Sequence, residues 1–375
     1  IEEIVELIMK KMTESSISTS NNSTNGVFKN VDEAIAEAKK AQTVLFSSKL
    51  ELRERIIASI RDTLKSHITE LSELAVKETG MGRVADKELK NRIAIEKTPG
   101  LEDLKAFAFS GDDGLTVMEL SPYGVIGAIT PSTNPSETVI CNSIGMIAAG
   151  NAVIFAPHPG AKRTSIRAVE LINEAIKKAG GPDNLVVTIA EPSIENTEKI
   201  IANPNIKMVV ATGGPGVVKT VMSSGKKAIG AGAGNPPVLV DETADIEKAA
   251  KDIVSGAFSY SGQRCTAIKR VLVVEEVADE LARLIKENVS KLTVGNPFDN
   301  ADITPLIDLK AADFIEGLME DALATLCCYW SVCGRCWCTA VCCLWKCIKL
   351  PIDSMTALQP SRKNTSACRG VFLPR

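Results

Sequence analysis

The sequence predicts an α/β fold built on a parallel sheet, and three observations point to it. After the Ser121-Pro122 turn, short apolar runs alternate with longer helical patterns. The runs are Val125 to Ile129, Ala152 to Phe155, Leu185 to Ile189, Met208 to Val210 and Val238 to Val240. Between them lie helical stretches around Ser136 to Ala149, Thr164 to Ala179, Ile194 to Ala202 and Gly216 to Ser223. A continuous apolar run is a strand buried on both faces, and parallel strands need a helical crossover between them. Finally, 45% hydrophobic and 24% charged residues over 375 positions is the composition of a globular chain long enough for two domains.

The segment ahead of the sheet divides in two. Ile1, Ile4, Val5, Ile8 and Met9 fall at helical spacing, with Glu2, Glu3, Glu6, Lys10 and Lys11 on the other faces, so residues 1–12 read as a short amphipathic helix. The Ser/Thr/Asn-rich stretch Thr13 to Asn25 has too little apolar surface to order itself and reads as a tether. An amphipathic helix on a tether is suited to binding a partner, with a frayed terminus as the plainer alternative. From Asn30 a helix start is expected, with Glu33 at the reciprocal capping position, and long helices run to about Gly80.

Charge and apolarity exclude other classes. A formal net charge of −3 and the lack of a Lys/Arg stripe argue against nucleic acid as a partner. No apolar run reaches the roughly 18 to 20 residues that span a bilayer, and the first residues lack a secretory pattern, so a cytoplasmic protein is expected. Of eleven Cys, only Cys141 and Cys265 precede residue 320. The first part therefore reads as a reduced protein, in which an isolated Cys is either a small hydrophobe or a reactive thiol.

Loops just after strands are where open α/β sheets bind ligands. Thr130-Pro131-Ser132-Thr133-Asn134 follows the Val125 run, and the Asn134 amide is a candidate donor. Ala211-Thr212-Gly213-Gly214-Pro215-Gly216 is a glycine-rich turn entering a helix, suited to a pyrophosphate or simply to a tight turn. Gly230-Ala231-Gly232-Ala233-Gly234-Asn235 is nearly bare of side chains, so another group can approach closely. Ser261-Gly262-Gln263-Arg264-Cys265-Thr266 lies between the helical pattern Ile246 to Phe258 and a strand from Arg270 to Val274. There Cys265 stands beside Arg264 with Lys269 near, a setting that favours a nucleophilic thiolate. Cys141, inside an apolar helical pattern, is expected in the core. Only His67 and His158 are present, on a charged helical segment and in a strand-end loop, so a Cys–His hydrolase has little support. Hydride-transfer chemistry needs no histidine.

Together, Thr130 to Asn134, Thr212 to Gly214 and Gly262-Gln263-Arg264-Cys265 resemble the aldehyde dehydrogenase superfamily from about residue 28 to about residue 324. Up to Phe258 the chain looks most like the coenzyme-A-acylating enzymes of propanediol and ethanolamine utilisation, notably in Pro131-Ser132-Thr133-Asn134-Pro135 and Gly232-Ala233-Gly234-Asn235-Pro236-Pro237. The resemblance implies a Rossmann-like NAD(P)-binding domain over 26–232, a truncated α/β catalytic domain over 233–324, and homo-oligomers. It implies Cys265 as nucleophile, Asn134 with the Cys265 N–H as oxyanion donors, and NAD or NADP held by Thr130, Pro131, Ser132, Ala156, His158, Thr212, Gly213, Gly214, Val217 and Gly232. It also makes residues 1–12 look like a signal for a protein-shelled bacterial microcompartment. Hydrolytic relatives carry a Glu ahead of the nucleophile, whereas Ile229 to Asn235 holds no acidic residue, so the expected acceptor is coenzyme A.

Two departures qualify this. Residues 258–324, including Thr266-Ala267-Ile268-Lys269-Arg270 and Ala301-Asp302-Ile303-Thr304-Pro305, resemble non-phosphorylating glyceraldehyde-3-phosphate dehydrogenase, in which the Arg before the nucleophile, here Arg264, helps hold the substrate phosphate. After Ala324 the family would continue through an oligomerisation strand and a Glu-containing cofactor contact. Instead residues 325–375 form a Cys- and Trp-rich run without helical or strand period. Cys333, Cys336, Cys338, Cys342, Cys343 and Cys347 are spaced irregularly with no His near, so no metal is expected, and a change of reading frame accounts for the composition more simply.

Overall fold

The structure, a computed structural model, describes residues 25–329. The amphipathic helix at 1–12 and all but the first few residues of the 325–375 tail lie outside the described residues.

A two-residue strand, β1 (Val27–Phe28), leads into four helices: α1 (Val31–Phe46), α2 (Leu50–Lys65), α3 (Ile68–Thr79) and α4 (Val84–Lys97). Asn30 caps α1 as expected, its Oδ1 accepting from the N–H groups of Asp32 at 2.8 Å and Glu33 at 3.1 Å. The reciprocal bond from the Glu33 side chain is not formed among the described residues. A two-stranded antiparallel hairpin follows, β2 (Phe107–Gly111) with β3 (Gly114–Met118).

A parallel sheet of six strands carries the first compact unit. Besides β1, its strands and their helices in chain order are β4 (Val125–Thr130), α5 (Pro135–Ala148), β5 (Ala152–Pro157), α6 (Lys162–Lys178), β6 (Val186–Ile189), α7 (Ile194–Ala202), β7 (Ile206–Thr212), α8 (Pro215–Met222) and β8 (Lys227–Ala231). Every residue of β4, β5 and β6 is buried, which is why these strands read as unbroken apolar runs. Helices α5 and α6 cover one face with Ile140, Ile144 and Ile172, and α1 and α7 cover the other with Ile35, Leu45 and Ile200.

The strand order β1-β6-β5-β4-β7-β8 decides where a ligand goes. From β4 the chain winds outward through β5 and β6, then crosses back to lay β7 on the other flank of β4. Ile129 pairs with Ala211 across that seam, so the loops after Thr130 and Thr212 open side by side at a topological switch point. Gly230 and Ala231, read from sequence as the start of a bare glycine segment, belong to the edge strand β8 instead. A Cβ on Gly230 would meet Val218 Cγ1 at 2.6 Å, so glycine lets α8 settle on that strand.

A second compact unit comprises Pro237–Val254, Lys269–Leu292 and, among the described residues, the stretch that starts at Lys310. It pairs β9 (Pro237–Val240) with β10 (Arg270–Val273) in parallel. Its buried residues include Val240, Ile253, Leu281 and Ile285. Ser255–Ile268, with Cys265, and Thr293–Leu309 belong to the first unit. Helix α9 (Ile246–Phe258) therefore ends in the first unit, whereas α10 (Glu275–Val289) lies wholly in the second. Helix α11 (Leu309–Tyr329) runs past Ala324, where the sequence pattern was expected to end, because Ala322 to Leu326 still supply helix formers. Among the described residues no helix is long and apolar enough to cross a membrane.

Candidate active site

The site is built on the two switch-point loops. Thr130 is 2% exposed, and its Oγ1 is buried without a hydrogen-bond partner among the described residues. An orphaned hydroxyl at a sheet switch point suits a ligand group that would satisfy it. Ser132 is buried beside it and Pro131 half-buried. Across the seam, Gly214 stands at the N-cap of α8 and Pro215 fills the first helical position, which needs no N–H. The N–H of Gly213 is taken by the Ala231 carbonyl at 3.1 Å. Among the described residues the donors left for an anion are therefore those of Gly214, Gly216 and Val217. Ala156 is buried next to the end of β5, and His158, just past the strand, is exposed, its Nδ1 accepting the Gly160 N–H at 3.0 Å. Although the residue reaches solvent, partial desolvation of the ring by the surrounding protein lowers the His158 pKa.

The 130–134 loop is held from below by α4, a helix that sequence reasoning did not single out. Lys87, fully buried, donates to the Thr133 carbonyl at 2.7 Å and lies 3.3 Å from Glu137 Oε1. Lys90, one turn on, donates to Asn134 Oδ1 and stands 3.5 Å from the same Glu137 oxygen. Burial alone would raise the Glu137 carboxyl, but the two ammonium groups outweigh it and hold it below the usual range. Burial pushes Lys90 down to about 8 and lowers Lys87 in the same direction. The Tyr260 ring completes the cluster, its centroid 4.8 Å from Lys87 Nζ and 5.0 Å from Lys90 Nζ.

Tyr260 brings the nucleophile loop to this cluster. Tyr260 and Ser261 both take left-handed backbone angles, φ 61° and 53°, uncommon for residues with side chains and persistent only where the surroundings enforce them. The enforcement is visible. Ser261 Oγ donates to the Thr304 carbonyl at 2.7 Å and accepts the Thr304 N–H at 2.9 Å, while Thr304 Oγ1 accepts the Gly82 N–H at 3.1 Å. A Cβ on Gly82 would strike the Tyr260 ring at 2.2 Å. Cys265, four residues beyond Ser261, is exposed with a free thiol, and among the described residues its N–H has no acceptor. Arg264 Nη2 donates to the Gly256 carbonyl at 3.1 Å and to Ser259 Oγ, so its guanidinium ties the loop to the end of α9. Its role on a substrate phosphate stays an expectation.

Asn134 and the Cys265 loop thus share the Lys87–Lys90–Glu137–Tyr260 cluster, and Thr130 adjoins Thr212. Gly232 lies just beyond β8, and a Cβ there would approach Val218 at 3.8 Å, an ordinary contact. Val217 is exposed on the first turn of α8. Cys141 is partly buried against the core as expected, with Thr98 Oγ1 3.1 Å from its sulfur.

The profile of the aldehyde dehydrogenase family matches residues 7–329. The chain belongs to the aldehyde dehydrogenase family. As a family member it is 48% identical over 295 residues to the acetaldehyde dehydrogenase (acetylating) EutE of Salmonella typhimurium, covering 78% of this chain and 63% of that one. The propionaldehyde dehydrogenase of Rhodopseudomonas palustris, solved with bound CoA and an acylated cysteine, superposes with a TM-score of 0.68 at 51% identity over 72% of this chain and 62% of that one. The propionaldehyde dehydrogenase from the fucose utilisation bacterial microcompartment of Clostridium phytofermentans gives a TM-score of 0.67 at 48% identity, over 72% and 65%. This aldehyde dehydrogenase chain spans less than two thirds of the length of each of these relatives. None of them is a glyceraldehyde-3-phosphate enzyme, and that likeness of residues 258–324 remains an expectation.

Proposed function

We propose that the chain is the greater part of an NAD(P)-dependent, coenzyme-A-acylating aldehyde dehydrogenase acting on a short aldehyde. The observation that carries the reading is the exposed Cys265 thiol on a pinned, left-handed loop that shares one buried cluster with Asn134. The Cys265 sulfur attacks the aldehyde carbon, and the oxygen, now negative, is held by the Asn134 Nδ2 amide and the Cys265 N–H. NAD(P)+ supplies the hydride acceptor when bound. Thr130 Oγ1, buried and unpaired, and the N–H groups of Gly214, Gly216 and Val217 at the α8 N-terminus would hold that cofactor, the N–H groups suiting its phosphates. Pro131, Ser132, Thr212, Gly213, Gly214 and Gly232 line the same loops, with Ala156 and His158 at the end of β5.

Loss of hydride leaves an acyl group in thioester linkage to Cys265. No carboxylate stands between Ile229 and Asn235 to activate water, so the thioester waits for a better nucleophile. The thiol of coenzyme A attacks the acyl carbon, the new C–S bond forms as the Cys265 C–S bond breaks, and acyl-CoA leaves. The relatives named for acetylation and for an acylated cysteine support this order of events. The microcompartment origin of the Clostridium phytofermentans relative supports a cytoplasmic protein whose residues 1–12 bind a shell protein.

Intact-mass analysis tests the acyl step. After aldehyde and NAD+ without coenzyme A, the chain is expected to carry one acyl group on the Cys265 peptide, and coenzyme A is expected to remove it. An acyl group lost equally fast in buffer alone would point to hydrolysis instead.

A further inference from the structure

We infer that Lys90 is a positioning residue for this reaction: its ammonium holds Oδ1 of Asn134, which leaves the opposite N–H edge of the amide to meet the oxyanion. The inference rests on the proposed reaction for what Asn134 donates to. The bond itself is a feature of the fold.

Asn134 sits at the N-cap of α5, with φ −137° and ψ 61°, yet its side chain makes no capping bond. Asn is among the best N-cap residues because its oxygen can satisfy an orphan N–H of the first turn. Here that oxygen is turned away from its own helix to accept from Lys90. An amide has one accepting and one donating edge, and an ammonium has donors only. The flipped amide would set donor against donor, so the lysine fixes which edge faces outward. Among the described residues Nδ2 has no acceptor.

Lys90 is itself held in place. Glu137, in the first turn of α5, lies 3.5 Å from its Nζ, and the Tyr260 ring lies beneath it at 5.0 Å. Lys87 grips the Thr133 carbonyl one residue before Asn134, so the backbone and the side chain of the loop are fixed by consecutive turns of α4. Two ammonium groups sharing one carboxylate in a buried cluster cost stability that an apolar packing would not. Such an arrangement is expected where a site needs it.

The test uses p-nitrophenyl acetate, which requires neither nicotinamide nor coenzyme A. The Cys265 sulfur attacks the ester carbon, the C–S bond forms through an oxyanion, and the aryl C–O bond breaks to release p-nitrophenolate while the thiol proton goes to solvent. Release by the Cys265→Ala chain is subtracted as background from other thiols. Asn134→Ala is expected to slow acylation about 100-fold, the usual effect of removing one oxyanion donor. Lys90→Met is expected to slow it about tenfold, Lys90→Arg to recover part of that loss, and the double variant Lys90→Met with Asn134→Ala to be no slower than Asn134→Ala alone. Iodoacetamide alkylation of Cys265, followed on its peptide by mass spectrometry, develops no oxyanion and is expected within about twofold of wild type throughout. Losses that multiply in the double variant, alkylation that falls in step with acylation, or equal release in all chains would overturn the inference. NAD(P)H formation sustained over many turnovers without coenzyme A, beyond the single equivalent per chain that acylation of Cys265 releases, would remove the acylating reading and leave this cycle standing.

Discussion

A Cβ placed on Gly234 would lie 2.3 Å from the backbone carbonyl oxygen of Cys265, so the glycine-rich segment and the nucleophile loop touch at a point where no other residue fits. Gly234→Ala must push the Cys265 carbonyl aside. Because Gly234 is exposed and outside the core, the displacement is expected to act on the reaction more than on the fold. A fall of about tenfold or more in the rate of aldehyde oxidation is expected, since reacting groups tolerate little misplacement. Thermal unfolding of the same variant, shifted by only a few degrees on the general scale of single substitutions, would separate the two effects.

Glu137 is the one carboxylate shared by two lysines, Lys87 fully buried and Lys90 mostly so. Glu137→Gln leaves Lys87 and Lys90 facing each other without a counter-charge, and breaking a buried pair in this way costs about 3–5 kcal/mol. Urea unfolding is expected to show that loss, with part of it recovered by adding Lys87→Met.

Thr130 offers a test in which stability and binding move in opposite directions. Its Oγ1 is buried and unpaired, so Thr130→Val should leave the free protein as stable or slightly more so. If the hydroxyl serves a bound cofactor, the same change is expected to weaken NAD+ or NADP+ binding by roughly five- to tenfold, about the value of one hydrogen bond. Calorimetric titration reads the second effect without any turnover.

Lys90 ties stability to pH. Burial sets its folded-state pKa at about 8 against an ordinary 10.5, so between those values the unfolded chain binds more protons and stability rises with pH. Below pH 8 the lysine is charged in both states and the burial cost is present in full. The difference in unfolding free energy between wild type and Lys90→Met is therefore expected to shift in favour of wild type by on the order of 1–3 kcal/mol from pH 8 to 10.5. Denaturation at several pH values measures that difference.

The sheet was legible because β4, β5 and β6 are buried on both faces and their residues have no reason to be anything but apolar. The hairpin of Phe107–Gly111 and Gly114–Met118 was not, since Phe109, Leu115 and Val117 stand exposed and give no core-facing alternation. The edge strand Lys227–Ala231 was hidden by its glycine and its exposed positions. Thr130, Asn134 and Thr212 stood out as candidates because strand-end loops are where an α/β sheet keeps its chemistry, and Cys265 because it stands beside Arg264 in a polar loop between a helix and a strand. Lys87 and Lys90 could not. Lys87, Asn91 and Ala94 recur at the spacing of a helix face, and a polar face of α4 reads as solvated unless the partner across it is known. Glu137 and Tyr260, the partners that bury this face, lie far away in sequence.

In the proposed reaction the acyl group on Cys265 passes to coenzyme A. Absorbance at 340 nm, with a short aldehyde and NAD+ in the presence and absence of coenzyme A, tests it most directly when wild type is compared with Cys265→Ala. NADH formed over many turnovers only with coenzyme A, and abolished in the variant, is the predicted result. Sustained NADH formation without coenzyme A, or formation that survives the loss of Cys265, would contradict it.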